Sequence, residues 1–244
     1  MNKKEKANVW RGLLFEVLFV IWTVLIQKVD VKPLGQNGTN IGFATVNVWF
    51  HSMSGVHMWI YNVTDWLGLV PIVVCISFGI LGFIQLIKRR SLLKVDKDII
   101  ILGIYYVIVI MAYLLFETIP INYRPIFING FMEASYPSST TLLVMSVMPT
   151  LVWQIDRRVK KDYIKKAVRI SSITFTLFMV IGRLLAGVHW LTDIIGSVLL
   201  SIGLFLLYMG CARCITNSNP LHTLAISFLF IIMSSLSCLW QSLC

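Results

Sequence analysis

The stretch from Gly182 to Asp193, Gly-Arg-Leu-Leu-Ala-Gly-Val-His-Trp-Leu-Thr-Asp, carries most of the chemistry available to this chain. It joins two long apolar segments, and Arg183, His189 and Asp193 are its ionisable residues. A charge at the bilayer centre costs about 2.5–3.5 kcal/mol on insertion scales, so ionisable residues beside a span are functional candidates. His189 and Asp193 are four apart, and share one face wherever the chain between them is helical. A carboxylate there can hold one imidazole nitrogen and leave the other free to attack or to move a proton. Arg183 offers a planar fork of donors that suits phosphate oxygens. Taken singly, a histidine beside a span is usually a satisfied interfacial residue, and an arginine usually snorkels. Three such residues at one depth favour a site.

Two further stretches fit the same chemistry. Arg124 adds a second guanidinium, and Pro137-Ser138-Ser139-Thr140 opens an apolar run with hydroxyls. Free N–H groups and hydroxyls at a helix start bind phosphate oxygens, and two arginines neutralise a dianion. His189 would then attack phosphorus in line, giving a phosphohistidine that water resolves. Arginine supplies the charge a magnesium ion would bring, so no metal and no cofactor is expected. Glu117, Glu133 and Asp193 do not read as a metal cage. His51 and His57, six apart, share no helical face and do not read as a metal site either.

These residues must be positioned by membrane helices. The chain is 57% hydrophobic and 13% charged, with mean hydropathy +0.81, a composition of membrane-spanning segments rather than of a soluble domain. Apolar runs predict spans at 13–26, 66–87, 99–116, about 137–153, 170–185 and 190–212, with a seventh at about 221–239. The first follows a short basic stretch without a small-residue cleavage site, and so reads as a retained span. Between the first two, 44–61 reads as an amphipathic interfacial helix. Pro137 is expected in the first turn of the fourth span. Trp190 is expected at the pocket rim as an interface anchor or a tail contact.

The net charge of +10 does not indicate nucleic acid, because its position is wrong. Of 21 Lys and Arg, 17 fall in the segments predicted inside, and the other four are Lys28, Lys32, Arg124 and Arg183. That is the positive-inside pattern, with the amino terminus inside and the site outside. Cys211 and Cys214 lack a second metal-ligating pair and read as ordinary membrane-helix cysteines.

The order Arg124-Pro125, Pro137-Ser138-Ser139-Thr140 and Gly182-Arg183-x5-His189-x3-Asp193 resembles three signature motifs of the type 2 phosphatidic acid phosphatase superfamily. That family pattern is Lys-x6-Arg-Pro, Pro-Ser-Gly-His and Ser-Arg-x5-His-x3-Asp. The resemblance covers 117–193 and implies an all-α polytopic bundle of six or seven spans, one integral membrane domain over 1–244. By the same resemblance Arg124 and Arg183 bind the phosphoryl group, and Ser138 and the backbone after it contact its oxygens. His189 is the implied nucleophile and Asp193 its orienter. Two positions depart: Glu117 stands where the family has Lys, and Thr140 where it has His, with Ser139 in place of Gly.

The missing histidine would protonate a departing alcohol, and threonine cannot do so at neutral pH. Loss of a general acid typically costs about 10²–10⁴-fold unless the leaving group needs no proton. A diphosphate expels a phosphate, so a lipid diphosphate such as a polyprenyl diphosphate is the expected substrate. Glu117 is the replacement acid or meets a cationic headgroup. The rivals are a phosphotransferase using the same residues, a non-catalytic binder of lipid phosphates, and a transporter; the last is disfavoured because the charges cluster at one side. The expected location is a bacterial plasma membrane.

Overall fold

A computed structural model describes residues 3–217. Its helices are α1 (Lys3–Lys28), α2 (Ala44–Ser54), α3 (Met58–Leu67), α4 (Leu69–Arg89), α5 (Lys97–Thr118), α6 (Ser139–Arg158), α7 (Asp162–Leu185) and α8 (Leu191–Asn217). Among the described residues, five helical stretches are long and apolar enough to cross a bilayer: α1, α3 with α4, α5, α7 and α8. The α6 helix runs about 30 Å between the same two ends. Its sequence is more polar because it is enclosed: Thr140, Thr141, Ser146, Thr150 and Gln154 are all buried. The expected seventh span, 221–239, lies outside the described residues.

The centre of the bundle is α8, packed against α1, α5 and α6. Small residues let α1 come close. Gly203 and Gly210 lie seven apart on one face of α8, where a Cβ would sit 2.5 Å from Glu16 Oε1 and 2.5 Å from Val9 Cγ2 respectively. Close backbone approach of this kind replaces the hydrophobic driving force that helices lack in lipid. At the far end Arg158 Nη1 meets Asp98 Oδ2 at 2.8 Å and ties α6 to the start of α5.

The predicted interfacial helix at 44–61 is two helices. Gly55, at φ 66 and ψ −166, takes a conformation essentially confined to glycine and breaks it. The break lets the chain cross the α7–α8 junction, where His57 N–H donates to Ala186 O at 3.0 Å. Helix α3 then runs on into α4, so the predicted span at 66–87 starts earlier. Two contacts brace the start of α8: Trp22 Nε1 donates to Thr192 O at 3.1 Å, and Asn47 Nδ2 to Thr192 Oγ1 at 3.0 Å.

The chain alternates between two ends. One gathers the carboxyl ends of α1, α5 and α7 with the amino ends of α4, α6 and α8. The other holds 3–11, 88–97, 157–169 and Arg213, which carry the 17 clustered cations.

Candidate active site

His189 sits in the five-residue junction between α7 and α8. Gly187, at φ 69, turns the chain there, and a Cβ on it would run into the Gly55 carbonyl. His51 Nε2 lies 3.1 Å from Gly187 O, so one expected non-ligand histidine supports this turn. His57 instead contacts Ser54 O at 2.9 Å. Among the described residues no group of three or more His, Cys, Asp or Glu could hold a metal ion.

Asp193 belongs to the first turn of α8 and reaches back, Trp190 N–H donating to its Oδ2 at 2.8 Å. This is the acidic half of a capping box. His189 therefore precedes the helix, and the expected helical stacking of His189 on Asp193 is not formed. Nδ1 is 3.9 Å from Asp193 Oδ2, too far for a hydrogen bond. The carbonyl of Ser135 faces Nδ1 instead, at 3.1 Å. The Ser135 hydroxyl donates to Asp193 Oδ2, and Asn122 Nδ2 donates to Oδ1 at 3.4 Å. Ser135 thus lies between Asp193 and the imidazole and contacts both.

This arrangement selects a tautomer. A carbonyl cannot donate, so Nδ1 carries the proton and Nε2 keeps its lone pair. Nε2 is buried without a hydrogen-bond partner. Burial, then Arg124 and Arg183, push the His189 pKa well below the usual histidine value, so the ring is neutral.

Both guanidiniums converge on one aromatic ring. Arg183 lies 5.0 Å and Arg124 6.0 Å from the centroid of Tyr61. Arg183, only 2% exposed, donates from Nη2 to Asp65 Oδ1 at 2.8 Å and to Thr140 Oγ1. Its Nε and Nη1 are buried without hydrogen-bond partners. Arg124 is held in the α5–α6 loop, its N–H donating to Glu133 O at 3.1 Å. Its Nε lies 3.1 Å from Glu133 Oε2, an ion pair whose angle is poor for a hydrogen bond, and Nη1 is buried without a partner. Each guanidinium is paired with one carboxylate and keeps buried donors to spare, and both act electrostatically on the free imidazole, so the three groups together suit an anion.

The other predicted residues divide. Ser138 caps α6 and is fully buried; its Oγ donates to Thr141 Oγ1 at 3.1 Å, and its carbonyl accepts from Ser197 Oγ at 3.0 Å. It joins α6 to α8, and its side chain leaves the first-turn amides uncapped. Pro137 precedes this cap rather than lying in the first turn. Thr140 binds Arg183. Ser139 lines a small crevice with Glu117, Tyr113 and His189. It also lines an apolar cavity of about 520 Å³ between α4, α5 and α6, whose walls include Leu69, Ile72, Val109 and Leu143. Trp190 is buried, with Nε1 donating to Tyr123 O at 2.8 Å, so it pins the Arg124 loop instead of anchoring the interface.

Sequence reasoning missed Tyr61, Asp65, Asn122 and Ser135. Asp65, an acid at the foot of an apolar run, was the one with a readable signal.

Fold and site together define a polytopic membrane helical bundle with a buried His-Arg-Arg cradle at one end. The chain belongs to the PAP2 superfamily, whose family model matches residues 74–216. It is similar in fold to the crystal structure of the first transmembrane PAP2 type phosphatidylglycerolphosphate phosphatase from Bacillus subtilis. That likeness has a TM-score of 0.60 and 18% identity, over 84% of this chain and 98% of the other. No curated protein sequence matches.

Proposed function

We propose that this protein is a membrane lipid phosphatase that cleaves a lipid phosphate or, preferentially, a lipid diphosphate through a phosphohistidine at His189. The observation that carries the reading is the buried, neutral imidazole whose free Nε2 shares one cradle with the unpartnered donors of Arg124 and Arg183. The arginines bind the phosphoryl oxygens and stabilise the charge that develops on them. Nε2 attacks phosphorus as the leaving group departs. Ser135 O accepts from Nδ1–H, which stabilises the positive charge the ring gains, and Asp193 holds Ser135 in place.

The preference for a diphosphate, a polyprenyl diphosphate being the leading case, rests on Thr140. Its hydroxyl is committed to Arg183, and it offers no proton to an alcohol. The apolar cavity between α4, α5 and α6 begins at Asp65, Ser139 and Thr140 and suits a hydrocarbon tail entering from the bilayer. The cations at the opposite end favour an orientation with that end, and the amino terminus, in the cytoplasm. The site then opens on the outer face of the plasma membrane.

The test is to trap a labelled phosphoenzyme with a panel of lipid mono- and diphosphates. Label on His189, lost in His189→Ala, and faster turnover of diphosphates are expected. Lipid binding without label would make the protein a non-catalytic binder. A clear preference for phosphatidic acid would refute the leaving-group argument.

A further inference from the structure

The crevice beside His189 is formed by the last two turns of α5 and the start of α6, and it leads from Glu117 to the imidazole. Tyr113, Ser139 and Leu142 line both this crevice and the apolar cavity, so the two converge beside the site. An attacking water must reach phosphorus in line with Nε2, from the side the first leaving group left. Glu117 has no ion-pair partner among the described residues within 4.0 Å, whereas Asp65 and Glu133 are engaged with the two arginines.

We infer that Glu117 is the general base of the second half-reaction. This rests on the phosphohistidine reading and deepens it by assigning a residue to the water-activating step. The step balances. A water O–H bond breaks and its proton passes to the Glu117 carboxylate. The water oxygen bonds to phosphorus, and the P–Nε2 bond breaks with its electron pair returning to the imidazole. Inorganic phosphate leaves, and Glu117 returns its proton to solvent. A carboxylate suits this role better than that of an acid, which agrees with a leaving group that needs no proton.

The experiment is single-turnover labelling of the full chain in detergent with a radiolabelled polyprenyl diphosphate, comparing wild type with Glu117→Gln and Glu117→Asp. In Glu117→Gln, formation of phosphohistidine should persist within a few-fold. Its breakdown should slow about 10²–10⁴-fold, so that label accumulates. Glu117→Asp should recover part of the breakdown rate. Unchanged breakdown in Glu117→Gln, or equal slowing of both steps, overturns the inference while leaving the phosphoenzyme intact. Absence of label from wild type as well overturns the phosphohistidine reading, and this inference with it.

Discussion

Arg183→Lys tests the cradle most directly. Arg183 spends Nη2 on Asp65 and Thr140 and keeps Nε and Nη1 for the site. Lysine carries one ammonium on a flexible stem and cannot serve both sides at once. If it stays with Asp65, two charge-assisted hydrogen bonds to the phosphoryl group are lost. Each is worth about 1.5–3 kcal/mol, so the transition state loses about 3–6 kcal/mol. At about 1.4 kcal/mol per decade, kcat/KM should fall about 10²- to 10⁴-fold. The assay is phosphate release from a lipid diphosphate in mixed micelles, with thermal stability in the same detergent as the folding control. Activity within about threefold of wild type, in a protein that melts normally, would refute the claim that Nε and Nη1 serve the phosphate.

Other outcomes follow from the same geometry. Asp65→Asn removes the charge that fixes Nη2 and should lower kcat/KM about 5- to 30-fold with little change in melting, since the Asp65 side chain is 57% exposed. Ser135→Ala keeps the carbonyl that holds Nδ1 but strips a hydrogen bond from Asp193, so phosphohistidine formation should slow about tenfold. Gly203→Leu drives a side chain into Glu16 on α1 and should destabilise the fold by about 1–3 kcal/mol or more, read as a lower melting temperature. The pKa of His189 is depressed in the folded protein, so below about pH 6.5 the unfolded chain binds a proton the folded one does not. Stability should therefore fall as pH drops through 6.5, by at most about 1.4 kcal/mol per pH unit for this group, and His189→Gln should remove that contribution.

The sequence alone determined the membrane bundle, because twenty-residue apolar runs separated by basic loops have no other stable arrangement in water and lipid. It also singled out Arg124, Arg183 and His189, because several groups suited to one phosphate fall together on one predicted side of the bilayer, and the structure brings all three to one end. Tertiary structure decided how they are held. Spacing suggested that Asp193 grips His189, yet a helix start falls between them and turns the carboxylate to its own cap, so that a backbone carbonyl from a distant loop takes the imidazole. Tyr61 and Asp65 are more than a hundred residues from Arg183 in the chain. Nothing local marks such partners, because their role exists only once α3 folds back across the α7–α8 junction.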